Sequence, residues 1–470
     1  MSAPASRTII SGATIATVDA LGTEHPSGWA VVDDATIVGV GGGTPPLWAV
    51  RGHAPTGEAY PVPPAIESID GTGHLLTPGL INTHHHLYQW LTRGWAQDDI
   101  LFDWLVALYP AWSAIDADLV EAGAEAAIAV LARSGCTTVG DHHYVFPKGS
   151  GDILGGIVAA ASRIGVRLHG TRGSMDLGRS QGGLPPDFAV ETTAAALQAS
   201  ADAVDAFHDP SREAMVQIAI APCSPFSVTS DLLREAAVLA RSKGVRLHTH
   251  GSETVEEDAF CLSTFGKTPT QYLDDLGWLG DDVWMAHCVH LDEGAIARFA
   301  ETGTGVAHCP SSNARLAAGI APVPQLLAAG VPVGLGVDGS ASNESGQLGS
   351  EIRQAVLMNR LRAGADGMTG RQGLYIATMG GARVLGRDRE LGSIEPGKLA
   401  DLALWKVDGV EHAGIADPVA ALTLGAQPPL ARLIVHGRTV LRDGELTRVD
   451  ERAVASAAST AARALAERVR

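Results

Sequence analysis

Short apolar runs alternate with longer stretches of helical periodicity through the middle of the chain. Eight such runs can be counted, beginning at Leu76, Cys136, Val166, Val216, Val245, Asp282, Gly303 and Val331. The stretches between them, such as "TSDLLREAAVLARSKG", place acidic residues early, basic residues late and glycine after the last turn, which is typical of helices. Eight strand-then-helix units over about 300 residues predict an α/β fold, a (β/α)8 TIM barrel. A doubly wound sheet, which normally has fewer strands, is the alternative.

The two ends of the chain have a different pattern of apolar and polar residues. The segments "RTIISGATIATVDA" and "ARLIVHGRTVLRDGEL" alternate apolar and polar residues between glycine and aspartate turns. We therefore predict a small β-sandwich domain made from residues 1–75 and 386–470, with the barrel, residues 76–385, inserted between its two parts. Residues 449–470 predict a terminal helix.

Composition and charge limit the kinds of molecule that the protein is expected to bind. The net charge of −18 is spread along the chain, which argues against a nucleic-acid polymer or an anionic membrane and fits a small-molecule substrate. No apolar run approaches the roughly 20 residues of a membrane span, and "MSAPASRTII" does not resemble a secretory signal. The five cysteines are scattered and form no CxxC pair, which predicts a reduced, cytoplasmic protein.

Several apolar runs end in residues that bind metals or move protons. They are His84 and His86 in the first run, His250 and Glu253 in the fifth, His287 in the sixth and Asp338 in the eighth. A single histidine at a strand end is more often a hydrogen-bonded structural residue. However, the carboxyl ends of barrel strands share one rim, and nitrogen and oxygen donors from three strand ends are what an open metal site requires. The pattern predicts a catalytic metal centre.

Strand geometry selects among these histidines. Side chains alternate faces along a strand, so His84 and His86 point the same way and His85 points the other. We predict that His84, His86, His250 and Asp338 bind one divalent ion, while His85 and His248 face the helix layer or support the ligands from behind. A divalent ion with three neutral imidazoles and one carboxylate keeps a net positive charge, which lowers the pKa of coordinated water.

Proton transfer falls to residues beside these ligands. Glu253 follows His250 by three residues, so we predict that it carries a proton between the water and the leaving group. Asp338 is predicted to share this catalytic role, and His287 to polarise the substrate or, alternatively, to support the site from behind. Barrel hydrolases with two metal ions usually bridge them with a modified lysine at the end of the fourth strand. Here the fourth run ends "IAPCSPF" without a lysine, which favours a single ion. Zinc is predicted, with iron as the alternative, because this donor set suits several divalent ions.

Taken together, these motifs resemble the amidohydrolase superfamily, in its cytosine/guanine-deaminase-like branch. The matching segments are "PGLINTHHH", "HTHGSE", "MAHCVHL", "HCPSSNARL", "GLGVDGSASN" and "GSIEPGKLADLAL", which cover nearly the whole chain. Within the branch, "GDHHYVFP" and "TRGSMDLGRSQGGLPP" look most similar to the 8-oxoguanine deaminases. The resemblance implies zinc or iron on the four predicted ligands, with Glu253 and His287 as proton shuttles.

The function implied by the resemblance is hydrolytic deamination of a purine- or pyrimidine-like heterocycle. The expected reaction converts 8-oxoguanine to urate and ammonia, and isocytosine to uracil. The same branch contains s-triazine aminohydrolases and chlorohydrolases, some of which lack the glutamate that this chain retains as Glu253, so deamination is favoured. A non-catalytic scaffold is the alternative from another class, but such relatives have typically lost metal ligands. A homo-oligomer is expected, as is common in the branch.

The predicted substrate-binding residues are Gln89, Tyr144, Arg172, Cys223 and Asn343. Gln89 lies three residues beyond His86 and can present both a donor and an acceptor to the amide edge of a base. Trp90 and Trp95 are candidates for aromatic walls, and the alternative, which isolated tryptophans favour, is packing between helices.

One pair of residues departs from the family pattern. Relatives commonly carry a larger apolar residue and then alanine between the strand-five histidine and glutamate, whereas this chain has Gly251 and Ser252. We expect the smaller pair to enlarge or rewet the pocket beside the metal.

Overall fold

The computed structural model describes residues 5–60 and 63–470. The N-terminal part contributes five strands to a sheet outside the barrel: β1 Ser6–Ala16, β2 Glu24–Asp33, β3 Thr36–Gly42, β4 Ala65–Asp70 and β5 His74–Pro78. The central strand β1 pairs with β2 on one side, and with β4 and β5 on the other. Ile9, Ile10 and Ile15 of β1 are buried; Ile9 and Ile10 are neighbours, so burial does not alternate strictly along this strand.

The next eight strands close into the predicted parallel barrel. They are β6 Leu80–Asn82, β7 Cys136–Gly140, β8 Arg167–Ser174, β9 Val216–Pro222, β10 Leu247–Gly251, β11 Val283–His287, β12 Gly305–His308 and β13 Val333–Leu335. The hydrogen-bonded order runs from β6 to β13, and β13 pairs back with β6 through Leu335 and Asn82. Each strand coincides with one of the eight apolar runs, so the barrel prediction is confirmed.

The C-terminal part returns to the first sheet. Its strands are β14 Leu402–Lys406, β15 Leu430–Val435, β16 Arg438–Arg442 and β17 Glu445–Leu446. The strands of both chain ends form one nine-stranded hydrogen-bonded sheet, because β14 pairs antiparallel with β5. This confirms a second unit built from both termini. Strand β5 extends this sheet to Pro78, beyond the predicted limit at residue 75; the exact domain boundaries stay a prediction.

Helices pack around the barrel and against the terminal sheet. They are α1 Leu47–Val50, α2 Leu101–Trp112, α3 Ala117–Arg133, α4 Ile153–Ile164, α5 Thr193–Phe207, α6 Ser230–Lys243, α7 Val255–Phe265, α8 Pro269–Asp275, α9 Glu293–Thr302, α10 Pro310–Arg315, α11 Val323–Ala328, α12 Leu348–Ala363, α13 Gly370–Tyr375, α14 Gly381–Val384, α15 Pro418–Leu424 and α16 Glu451–Arg468. Short 3-10 turns span Leu87–Thr92, Arg179–Gln181 and Asp187–Ala189. Helix α6 shows the predicted signals, since Thr229 caps its first turn and Gly244 ends it in the left-handed conformation.

A buried ion pair joins the barrel to the terminal sheet. Arg167 lies at the start of β8, and Asp401 directly precedes β14. The Nε and Nη2 atoms of Arg167 donate to the carboxylate of Asp401 at 2.9 and 3.0 Å. The two side chains are 1% and 5% exposed. Because two buried charges satisfy each other across the junction, the pair fixes how the two units meet.

Two further features bear on the composition argument. All five cysteines are buried and free. In the described part of the chain, none of the helices has the length and apolar character needed to cross a bilayer.

Candidate active site

The predicted site residues converge at the carboxyl ends of the barrel strands. His84 and His86 follow β6, His250 lies in β10, His287 ends β11 and Asp338 follows β13. All five side chains are buried. The chain brings them together because every strand of a parallel barrel ends on the same rim.

Hydrogen bonds orient two of the imidazoles toward a common point. The Nδ1 of His86 lies 2.6 Å from the carbonyl oxygen of His142, and the Nδ1 of His250 lies 2.7 Å from that of Cys223. A carbonyl oxygen accepts only a proton, so each Nδ1 donates and each Nε2 keeps a free lone pair. Burial lowers the pKa of both rings, that of His250 to about 3, which keeps them neutral and able to bind a cation.

His84 is oriented through a second histidine. Its Nδ1 lies 2.8 Å from Nε2 of His248, whose own Nδ1 donates to the carbonyl oxygen of Trp284 at 2.9 Å. His248 is therefore an acceptor for His84, which leaves Nε2 of His84 free. This agrees with the prediction that His248 supports the ligands from behind. His85 is also buried, and its carbonyl oxygen accepts the backbone N–H of His142 at 2.6 Å.

Three separations among the four predicted ligand atoms match the spacing of donors in a metal coordination shell. Asp338 Oδ1 lies 3.2 Å from His84 Nε2 and 3.3 Å from His86 Nε2, and His86 Nε2 lies 3.2 Å from His250 Nε2. Donors bound about 2.0–2.1 Å from a tetrahedral zinc ion are roughly 3.3–3.4 Å apart. The lone pairs already face one another without protons between them, so the donor set fits a divalent cation.

Asp338 is held in its position by both backbone and side-chain contacts. Its φ of 63° lies in the left-handed region, which is unusual for a residue other than glycine. Its Oδ2 accepts hydrogen bonds from Ser312 at 2.5 Å and Ser342 at 3.2 Å, which leaves Oδ1 toward the histidines. Burial opposes ionisation of Asp338, but its contacts with His84, His287 and His86 outweigh this effect and hold its pKa well below the usual value.

Glu253 and His287 form the proton-carrying side of the site. His287 Nδ1 lies 2.9 Å from Asn313 Oδ1, and its Nε2 lies 3.7 Å from Glu253 Oε1 and 3.9 Å from Asp338 Oδ2. Burial raises the pKa of Glu253 to about 7, the range in which a carboxyl group accepts and returns protons near neutral pH. Burial lowers the pKa of His287, but Glu253 and Asp338 outweigh this effect and raise it above the usual value.

A small cavity of ≈ 30 Å³ lies beside this cluster. Three of the predicted substrate-binding residues, Gln89, Tyr144 and Cys223, line it together with His86, His250, Glu253, His287 and Asp338. Gln89 is fully buried, and among the described residues neither atom of its amide has a hydrogen-bond partner. An amide left unpaired in a cavity wall is available to a ligand.

The other two predicted substrate-binding residues do not line this cavity. Arg172 donates twice to the carboxylate of Glu191, at 2.7 and 2.9 Å, and stacks on Phe146. Asn343 donates to the carbonyl oxygen of Val337 at 2.9 Å and to Glu351 at 2.9 Å. Both side chains already donate hydrogen bonds to other parts of the protein, and these bonds hold loops at the rim of the barrel.

The expected effect of the small pair after β10 is not seen in the cavity wall. Neither Gly251 nor Ser252 is among the lining residues. A Cβ at Gly251 would lie 3.1 Å from the sulfur of Met285, so Met285 fills the space that a larger residue would take. Trp90 and Trp95 do not line this cavity either. They line a groove beside α16.

Sequence reasoning missed several residues of the site, of which His142 and Trp104 bear most on its chemistry. His142 stacks on His250 at a centroid distance of 4.7 Å, and one of its nitrogens lies within 4.8 Å of donor atoms of His84, His86 and His250. Its signal was the "GDHHY" segment after the second run. Trp104 lines the cavity from α2, and a helix outside the barrel pattern gives no sequence signal for this placement.

The fold and this cluster define the class of the protein as a metal-dependent barrel hydrolase. Residues 75–440 match the model of the amidohydrolase family, and the chain belongs to that family. It is a hydrolase acting on C–N bonds in heterocyclic substrates, which removes the scaffold alternative.

Two curated relatives and one solved structure illustrate the similarity. An 8-oxoguanine deaminase of Pseudomonas aeruginosa is 45% identical over 407 residues, covering 86% of this chain and 90% of the relative. A hydroxydechloroatrazine ethylaminohydrolase of Pseudomonas sp. is 35% identical over 460 residues, covering 94% and 92%. The crystal structure of an atrazine chlorohydrolase from Arthrobacter aurescens complexed with zinc has a TM-score of 0.89 at 30% identity, covering 97% of this chain and 100% of that chain. The His/Asp cluster of this chain has the donor groups to hold a divalent metal ion as well.

Proposed function

We propose that the protein is a hydrolytic deaminase whose substrate is 8-oxoguanine, converted to urate and ammonia, with isocytosine, converted to uracil, as a second substrate. The observation that carries the choice of substrate is the 45% identity to an 8-oxoguanine deaminase across 90% of that enzyme. The position of Glu253 beside His287 and the metal ligands supports the reaction class.

His84, His86, His250 and Asp338 hold the ion in this proposal. When bound, a divalent ion lowers the pKa of water and so supplies a nucleophile at neutral pH. The chain's own residues do the remaining work. The three imidazoles are neutral because burial lowers each pKa, and their Nδ1 contacts fix the ring orientation before the substrate arrives.

Proton movement is assigned to three side chains at the cavity wall. Water that attacks the ring carbon bearing the amino group loses two protons in all: Asp338 accepts one, which ends on the neighbouring ring nitrogen, and Glu253 accepts the other. Glu253 then returns a proton to the departing ammonia, since a carboxyl whose pKa is near 7 gives and takes protons with little cost. His287 donates from Nε2 to the oxygen that becomes the product carbonyl.

Substrate orientation is assigned to Gln89, Tyr144 and Cys223. The unpaired amide of Gln89 offers one acceptor and two donors, which complements the N–H and carbonyl groups along the edge of an oxopurine. Tyr144 contributes an aromatic edge 5.1 Å from the His86 ring. Cys223 supplies a polarisable wall that stays neutral, because burial raises the pKa of its thiol to about 12.

A substrate screen tests the proposal. Purified protein loaded with zinc is assayed by ultraviolet absorbance against guanine, 8-oxoguanine, isoguanine, isocytosine, cytosine and aminotriazines. We expect the highest kcat/KM with 8-oxoguanine and ammonia release equal to the substrate consumed. A higher kcat/KM for any other compound in the screen contradicts the proposed substrate.

Triazine hydrolysis is the second candidate. It is favoured by the 35% identity to an ethylaminohydrolase and by the structural similarity to a chlorohydrolase. Release of chloride or an alkylamine from triazines, without ammonia from any purine or pyrimidine, would replace the deaminase proposal with this one.

A further inference from the structure

Helix α7 begins with a capping-box sequence that is used in an unusual way. Thr254 is the N-cap, and its hydroxyl accepts the backbone N–H of Glu257 three residues later. In a capping box the side chain at this third position reaches back to the backbone N–H of the N-cap itself. Gln372 does so in α13, where it accepts the N–H of Thr369 at 2.8 Å.

Glu257 instead reaches past the cap to the residues that precede the helix. Its Oε1 accepts the backbone N–H of Ser252 at 3.1 Å, and its Oε2 accepts that of Glu253 at 2.7 Å. The carboxylate thus holds two consecutive amides between the end of β10 and the start of α7. One of these amides belongs to the predicted proton carrier.

The segment held in this way is conformationally strained. Ser252 has a φ of 53°, a left-handed conformation that residues other than glycine rarely adopt. On its other side, the carbonyl oxygens of Gly251 and Ser252 accept the N–H groups of Cys288 and His290, at 3.2 and 2.9 Å. The segment that follows β11 anchors the two carbonyls and Glu257 anchors the two amides, so the turn is restrained from both sides.

Burying the carboxyl group of Glu257 at the start of the helix costs free energy, because the group loses its contact with water. Its side chain is fully buried, and within residues 5–60 and 63–470 no lysine or arginine forms an ion pair with it. This burial raises the pKa of Glu257 to about 8. The glutamines that cap α8 and α13 are exposed and neutral, so capping alone does not require a buried carboxylate.

We propose that Glu257 is a positioning residue for catalysis, which fixes the Ser252–Glu253 backbone and thereby aims the Glu253 carboxylate into the cavity beside His287. This inference rests on the proposed role of Glu253 as proton carrier. It assigns no contact between Glu257 and the substrate.

Hydrogen exchange tests the structural half of the proposal without requiring activity. The zinc-loaded full chain is compared with Glu257→Ala, Glu257→Gln and the matched control Gln372→Ala, which removes an ordinary capping-box contact. We expect the amides of Ser252 and Glu253 to exchange at least about tenfold faster in Glu257→Ala, because local opening no longer breaks two hydrogen bonds. Exchange there should be unchanged in Gln372→Ala. Unchanged exchange in both Glu257 variants overturns the proposal.

Steady-state kinetics tests the catalytic half with whichever heterocycle the wild-type protein deaminates best. We expect kcat to fall about 100-fold in Glu257→Ala, as displacement of a catalytic group by about 1 Å does, while KM changes less than about threefold and zinc content is retained. The kcat of Glu257→Gln should also fall, because the NH2 group of the glutamine would face a backbone N–H and could not accept its hydrogen bond. Should Glu257→Ala fail to fold, this nearly isosteric variant decides the result. A kcat within twofold of wild type overturns the proposal.

A second-site change separates positioning from general stability. Ser252→Gly removes the steric cost of the left-handed turn, so Ser252→Gly/Glu257→Ala should recover roughly tenfold in kcat over Glu257→Ala alone. A purely structural role predicts recovery of the melting temperature without recovery of kcat, and that outcome overturns the proposal. Altered exchange with no turnover of any heterocycle by the wild type would sustain the role of Glu257 on the backbone and remove only the proposed function.

Discussion

At the scale of single residues, the hydrogen bond at Nδ1 of each imidazole determines whether its Nε2 has a free lone pair. His84, His86 and His250 each direct Nδ1 to a protein acceptor, and their Nε2 atoms therefore meet at one point with their lone pairs free. The spacing of HxH predicted from sequence that His84 and His86 share a side, but both lie just after β6, so strand alternation is not the cause of their placement. The acceptors themselves are carbonyls and a histidine of other strands, so no local pattern could reveal them.

Replacing Glu253 by glutamine removes a proton carrier while keeping the size of the side chain. Because Glu253 is outside the predicted ligand set, we expect Glu253→Gln to retain one zinc ion per chain and to lose turnover by at least about 100-fold. Metal analysis and steady-state assays measure the two quantities. Near-normal turnover would exclude Glu253 from proton transfer.

The titration of Glu253 predicts the acid side of the pH profile. Its carboxylate must be ionised to accept a proton, so kcat/KM should rise as the pH increases through its pKa. Burial raises this pKa from 4.5 to about 7, and a bound cation pulls it back down, which places the midpoint between these values. Initial rates at low substrate concentration measure it. A kcat/KM that stays constant from about pH 4 to pH 8 would contradict this assignment.

At the scale of secondary-structure elements, strand ends supply the chemistry and one helix closes the cavity. All eight barrel strands were predictable, since each is a short apolar run followed by a helix with regular start and stop signals. Helix α2 follows the first strand and contributes Leu101, Trp104 and Leu105 to the cavity wall. Its position depends on packing between distant elements, so the sequence indicated Trp90 and Trp95 as aromatic walls instead. Arg172 and Asn343 lie outside the cavity lining and hydrogen-bond to Glu191 and Glu351, so their role in substrate binding stays a prediction.

Truncation of Trp104 tests whether α2 forms part of the binding cavity. We expect Trp104→Ala to raise KM about tenfold with a smaller change in kcat, because a flat heterocycle loses an aromatic surface worth roughly 1 kcal/mol or more. Trp95→Ala, in the groove beside α16, is the matched control and should leave KM unchanged. Equal KM values for both variants and the wild type would place the substrate away from α2.

At the scale of the whole molecule, the barrel and the terminal sheet are joined where β5 ends and β6 begins. The change in sequence pattern near residue 76 predicted a junction in this region, and its exact position stays a prediction. The Arg167–Asp401 pair across the junction could not be foreseen, since its members are far apart in the chain and neither is unusual alone. The expected homo-oligomer stays a prediction.

Breaking this ion pair on one side should destabilise the protein strongly. Asp401→Asn leaves Arg167 as an uncompensated buried charge, so we expect a loss of about 3–5 kcal/mol in the free energy of unfolding. Replacing both residues, in Arg167→Met/Asp401→Leu, should cost less than the single change. Denaturant titration monitored by circular dichroism measures both. A single variant as stable as the wild type would show that the junction does not depend on the pair.

The pairing of β5 with both β1 and β14 has a consequence for synthesis of the chain. The ribosome releases every barrel strand before Leu402–Lys406, so one edge of β5 must wait, unpaired, while more than 300 further residues emerge. A stalled or prematurely terminated product would expose that edge to other nascent chains, and the last stretch to be translated is the one that covers it.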